Sequence, residues 1–134
     1  MEVMQSIRAD LPVSERHTTK FVGHNIVGFD LPALWFACLR NQVPYHSLPF
    51  PRGLKPWDTH TCIDTLWQLS GGNFKGYSLA KMAKLFGLES KMPDVDGSMV
   101  WSMYKQNLIE AIVDYCEDDV RLVRQLHKRM EGYL

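Results

Sequence analysis

The 134-residue chain carries 15 basic and 15 acidic side chains, so its formal charge is zero. It offers no broad basic surface of the kind that grips nucleic acid through many phosphates, and any such contact must be local. A 46% hydrophobic and 22% charged composition suits a soluble globular protein with one modest core, and the length fits a single domain over residues 1–134.

No apolar run is long enough to cross a bilayer, and the N-terminal MEVMQSIRAD lacks a signal-peptide pattern, so a cytoplasmic location is expected. Cys38, Cys62 and Cys116 are widely spaced, odd in number and set among apolar neighbours, which reads as buried reduced thiols.

Val3, Met4, Ile7 and Leu11 recur at helical spacing, which predicts a short amphipathic helix over residues 2–11 that Pro12 ends. Residues 18–22 read as a strand, and Gly23 and Gly28 bracket a turn. Asp30 with Pro32 then opens a helix that buries Leu31, Leu34, Trp35, Cys38 and Leu39 on one face. Residues 43–58 hold four prolines and form a long surface loop. In it, Arg52, Lys55 and Trp57 either touch a single strand by phosphate contact and stacking or are plain loop residues.

Residues 59–65 read as a second strand. A helix follows with Ser78 as its N-cap, Gly87 past its end, and Leu79, Met82, Ala83 and Phe86 on its buried face. Residues 99–104 form a short helix, Asn107 with Glu110 reads as a capped start, and the last helix runs to about Gly132.

Wound at about 100° per residue, the last helix gathers Leu108, Ile109, Ile112, Val113, Cys116, Val120, Leu122, Val123 and Leu126 into a core-facing arc. Asp114, Glu117, Asp118, Arg121 and Lys128 collect on the solvated side. Asp119 falls inside the apolar arc, where an ionised carboxylate needs a metal ion, a cation or a backbone donor to compensate it. At the strand's carboxyl end, Asn25 to Asp30 sits where open α/β sheets place ligand sites, although Asp before Leu-Pro is also what an N-cap looks like.

Together, GHN-x-x-GFDLP at residues 23–32, the segment from Lys91 to Asp96-Gly97, and YC-x-x-DV at residues 115–120 resemble the DnaQ-like 3′-to-5′ exonucleases. The likeness is closest to the predicted exonucleases related to the proofreading domain of family-B DNA polymerases, and Tyr115 matches the tyrosine branch. It covers about residues 15–132. The resemblance implies an α/β, RNase H-like exonuclease fold with a helix-rich C-terminal half, and metal-dependent hydrolysis at the 3′ end of a single-stranded nucleic acid. Two Mg²⁺ or Mn²⁺ ions are implied, with Asp119 and Asp30 as ligands and Tyr115 orienting the attacking water. Asn25 and Phe29 would meet substrate, and Phe29 either wedges against the terminal base or joins Trp35, Phe36 and Trp67 in the core. Asp64, in a D-T pair, and Lys91 lie near the site.

The family's first motif, D-x-E, occurs nowhere in the sequence. Asp10 and Glu15 lack its spacing, and Asp94-Val-Asp96 reads as a solvated turn. The expectation is a domain truncated at its N-terminus, beginning in the helix before the family's fourth strand, with D-x-E supplied by a missing segment or a partner chain. The alternative is a non-catalytic remnant that binds nucleic-acid ends or a replication partner.

Overall fold

Parallel strands cannot be joined by a tight turn, so a chain that pairs two short strands in parallel must cross over between them. In the computed structural model, which describes residues 20–44, 54–73 and 75–133, β1 (Phe21–Gly23) and β2 (Cys62–Asp64) pair in this way. Phe21 lies opposite Cys62 and Gly23 opposite Asp64. The chain leaves β1 through a π-helical turn (Ile26–Asp30) that runs straight into α1 (Leu31–Arg40), and α2 (Thr65–Leu69) follows β2 directly. The result is an α/β architecture with a small parallel sheet and many helices.

These elements belong to the first of two compact units, Met1–Phe74. Its core centres on Leu31 and Cys38 of α1, with Phe21, Ile26, Leu34, Trp35 and Leu54 packed around them. Burying a leucine side chain contributes about 2 kcal/mol. What fixes the loop between β1 and α1 is the Asp64 carboxylate, which is fully buried. Its Oδ1 accepts from the backbone N–H groups of Asn25 at 2.9 Å, Leu66 at 3.1 Å and Trp67 at 3.4 Å, and its Oδ2 accepts from Val27 at 3.0 Å. One side chain thereby caps α2 and holds the entry to the π-helical turn.

The second unit, Lys75–Leu134, contains α3 (Leu79–Leu85), α4 (Val100–Lys105) and α5 (Ile109–Met130). Ser78 caps α3 as the sequence suggests, accepting from Lys81 N at 3.4 Å. Gly87, at φ 63°, ends it, with Leu88 N bonded to Ala83 O at 2.8 Å. α3 and α4 both pack on α5, and Met82, Ala83, Leu122, Leu126 and Met130 are buried.

Several expectations change. The helix at residues 2–11, Asp10, Glu15, residues 18–19 of the first strand, and residues 45–53 of the proline-rich loop with Arg52 lie outside the described residues. Asn107 does not cap α5. It adopts a left-handed φ of 58° and closes α4, with its N–H on Tyr104 O and Leu108 N on Met103 O, each at 3.0 Å. Asn tolerates that conformation better than other side chains with a Cβ, so the turn uses it there.

The buried stripe of α5 is also narrower than its apolar arc. Leu108, Ile109, Val113, Cys116 and Val120 are exposed, because α3 and α4, at seven and six residues, cover one side of a 22-residue helix. Cys38 and Cys62 are buried as expected, whereas Cys116 is not. Phe29 and Phe36, at 67% and 69% exposed, do not fill the core either. Among the described residues, no helix is long and apolar enough to cross a membrane.

Replacing Asp64 by Ala strands four backbone donors, and urea denaturation should show a loss of about 3 kcal/mol. Asp64→Asn keeps one acceptor oxygen but turns an amide N–H toward the Val27 N–H, so its loss should be smaller yet measurable.

Candidate functional site

β1 ends where Gly23 must be glycine, since a Cβ there would lie 2.5 Å from Ile26 Cβ. Asn25 then turns the chain at φ 65° and ψ 24°, and its side chain folds over Gly28, so closely that a Cβ on Gly28 would collide with Asn25 Oδ1. The two glycines and the asparagine therefore form one compact turn. This geometry fixes Asn25 in the turn, and its backbone N–H is bound to Asp64.

Next to it, the Thr65 hydroxyl lies 3.1 Å from Gly23 O and 2.9 Å from His24 Nδ1. A carbonyl can only accept, so the hydroxyl spends its single proton there and must accept from His24 Nδ1–H. His24 is thus fixed in one tautomer and orientation by a residue 41 positions away.

The π-helical turn decides where Asp30 goes. The N–H of Leu31 reaches back to Ile26 O, a wider turn than the α-helix makes. Asp30 has helical angles of −64° and −46°, and its side chain makes no capping hydrogen bond. A capping residue needs an extended backbone to curl its carboxylate back onto the helix's first N–H groups. Asp30 is therefore not the N-cap that the Leu-Pro context suggests, and both it and Phe29 project to an exposed surface.

In the second unit, Tyr115 and Asp119 stand one turn apart on α5 and line a groove of about 560 Å³, together with Leu79, Ala83, Met92, Asp96 and Gly97. The Tyr115 hydroxyl is hydrogen-bonded to the Asp119 carboxylate. Burial, then the negative charge of Asp119 and this bond, push the phenol up to about 12. Asp94 and Asp96 are exposed on a turn, as expected, and the charge of Asp96 adds a smaller contribution to the effect on Tyr115. The backbone of Gly97 also runs past the hydroxyl, which lies 4.0 Å from where its Cβ would be.

Asp118, expected on the solvated face, is buried instead. Its Oδ2 accepts from Ser90 Oγ at 2.7 Å and from the N–H groups of Lys91 at 2.9 Å and Met92 at 3.4 Å, while Oδ1 pairs with Arg121. Arg121 in turn donates to Glu89 O. Lys91 thus contributes its backbone amide, and its side chain is exposed. Burial opposes the Asp118 charge, but the bonds from Ser90, Arg121 and Lys91 outweigh it and hold the carboxyl below the ordinary range.

A family model described as the predicted 3′-5′ exonuclease related to the exonuclease domain of PolB matches residues 4–131. The chain belongs to this family. No curated protein and no solved structure matches it.

Within this exonuclease family member, the first unit brings Asn25 and Asp64 together beside Phe29 and Asp30, and the second brings together Tyr115, Asp119 and Asp96. Asp118 is the residue that sequence reasoning missed. Its helical position is polar by periodicity, and the signal that it is an anchor, a loop at residues 90–92 rich in donors, becomes visible only once that loop is folded against α5. Among the described residues, no three His, Cys, Asp or Glu side chains cluster closely enough to hold a metal ion.

Two measurements test these electrostatics. A lowered carboxyl pKa contributes stability that is present above the ordinary value of 3.8 and is lost as pH falls through the folded value. The melting temperature of the wild type should accordingly fall more steeply than that of Asp118→Asn below about pH 4. In ultraviolet titration, with Tyr115→Phe identifying the signal, the Tyr115 transition should move down from about 12 in Asp119→Asn. It should stay above 10.0, because burial persists.

Proposed function

We propose that this chain carries the second and third motifs of a metal-dependent 3′-to-5′ exonuclease site acting on single-stranded nucleic-acid 3′ ends, most naturally DNA. The observation that carries the reading is the Tyr115–Asp119 pair, set on a groove and joined by a hydrogen bond. The family match supports it. In this reading the fold is the RNase H-like exonuclease fold lacking its first strands.

The donors in hand, Asp30 and Asp119, are hard oxygen ligands that suit Mg²⁺ or Mn²⁺. They are two carboxylates short of what a pair of ions requires, which is the complement a D-x-E strand from elsewhere in the protein or from a partner chain would add. When bound, the ions supply an acidified water and neutralise charge on the phosphoryl and leaving oxygens.

The chain's own residues do the rest. At neutral pH the Tyr115 hydroxyl keeps its proton and donates it to Asp119, so the phenol is not the general base. Its oxygen retains lone pairs that accept from a water and hold it in one orientation. In this reading Asp119 both positions that hydroxyl and is a carboxylate ligand. Asp30, which does not cap α1, neighbours Phe29, whose exposed ring can stack on the terminal base, and Asn25 shapes the turn that carries both.

The test supplies a D-x-E-bearing segment, as sequence upstream or as a partner chain, and follows mononucleotide release from a 3′-labelled single strand in Mg²⁺. Asp119→Asn should slow release about a hundredfold or more. Release unchanged by that substitution would sink the assignment, and binding without turnover in the wild type would favour a non-catalytic end-binding protein.

A further inference from the structure

Two aromatic residues of α4 are largely exposed. Trp101 and Tyr104, one turn apart, are 65% and 58% exposed, and their ring centroids lie 5.7 Å apart with planes 17° from parallel. Lys105 sets its Nζ 5.9 Å from the Trp101 ring centre. The i, i+3, i+4 spacing puts all three on one face. Residues 98–109 contain no acidic side chain, so an anion approaching this face meets a cation and no neighbouring carboxylate along the chain.

The first unit carries a similar arrangement. Trp57 is 63% exposed, Lys55 Nζ lies 5.8 Å from its ring centre, and the Trp67 ring is 6.0 Å away. Each unit thus exposes an indole with a second ring beside it and an ammonium over its face.

We propose that the Trp101–Tyr104–Lys105 face is a stacking subsite for a single nucleic-acid strand, with a base lying on the exposed rings and Lys105 pairing with an adjacent phosphate. The inference deepens the proposed function and rests on it for the class of ligand. Shape and charge select that ligand. Two stacked exposed rings with an ammonium beside them match the face of a base and its neighbouring phosphate. A chain of zero net charge cannot rely on a broad phosphate grip, so strand affinity must come from local stacking with a few paired phosphates.

The experiment titrates the full chain into fluorescein-labelled oligothymidylate in EDTA, by anisotropy, across a salt series. Trp101→Ala and Tyr104→Ala should each weaken binding roughly tenfold, while Trp101→Phe retains most of it. Lys105→Ala should weaken binding and reduce the slope of log affinity against log salt by about 0.7. The replaced side chains are exposed, so melting curves should match the wild type.

Affinity unchanged in Trp101→Ala and Lys105→Ala, or no binding by the wild type, overturns the subsite. Self-association that Trp101→Ala abolishes, seen by sedimentation, overturns it in favour of a contact between copies. Because metal and turnover are absent from the assay, failure of the exonuclease reading leaves this result standing, and failure of the subsite leaves hydrolysis untouched.

Discussion

Asp64 accepts hydrogen bonds from backbone N–H groups on both sides of the crossover, those of Asn25 and Val27 after β1 and of Leu66 and Trp67 after β2. A three-residue parallel ladder is too short to fix the loop that leaves it, so the geometry of the Asn25 to Asp30 segment depends on this buried carboxylate. Asp118 does the equivalent work in the second unit. It gathers Ser90 Oγ and the amides of Lys91 and Met92, and so anchors the chain that leads to Asp96 and Gly97 beside Tyr115. In both units a buried acid orders a loop.

The surroundings of Asp30 and of Asp119 differ accordingly within their own units. Asp30 continues a helix and cannot curl back to cap it, while Asp64 supplies the capping and turn-holding bonds nearby. Asp119 shares its turn of α5 with Asp118, whose charge is held by Arg121 and by three donors of the 90–92 loop. Asp119 instead pairs with a phenol that stays protonated at any physiological pH.

The motif segments were readable because their chemistry is local. Gly23, Asn25 and Gly28 form one turn within six residues, and Tyr115 with Asp119 share one helical turn, so spacing alone points to both groups. The Ser78 cap and the left-handed Gly87 were legible for the same reason. What escaped the sequence depends on partners distant along the chain. The π-helical turn, which removes Asp30 from its apparent capping role, is stabilised from Asp64 and leaves no periodic signature. Asp118 looks solvated until the 90–92 loop folds onto it, and Val113, Cys116 and Val120 look buried until the shortness of α3 and α4 is known. Asn107 with Glu110 looks like the start of one helix, yet its positive φ closes the one before, because Asn suits both positions.

The central proposal is that Asp119, beside Tyr115, is a ligand of a hard cation, and paramagnetic broadening by Mn²⁺ tests it most directly. With the D-x-E segment present, amide resonances around Asp119 should broaden as Mn²⁺ is added, and Asp119→Asn should relieve the broadening. Broadening absent there, or unaffected by Asp119→Asn, would contradict the account.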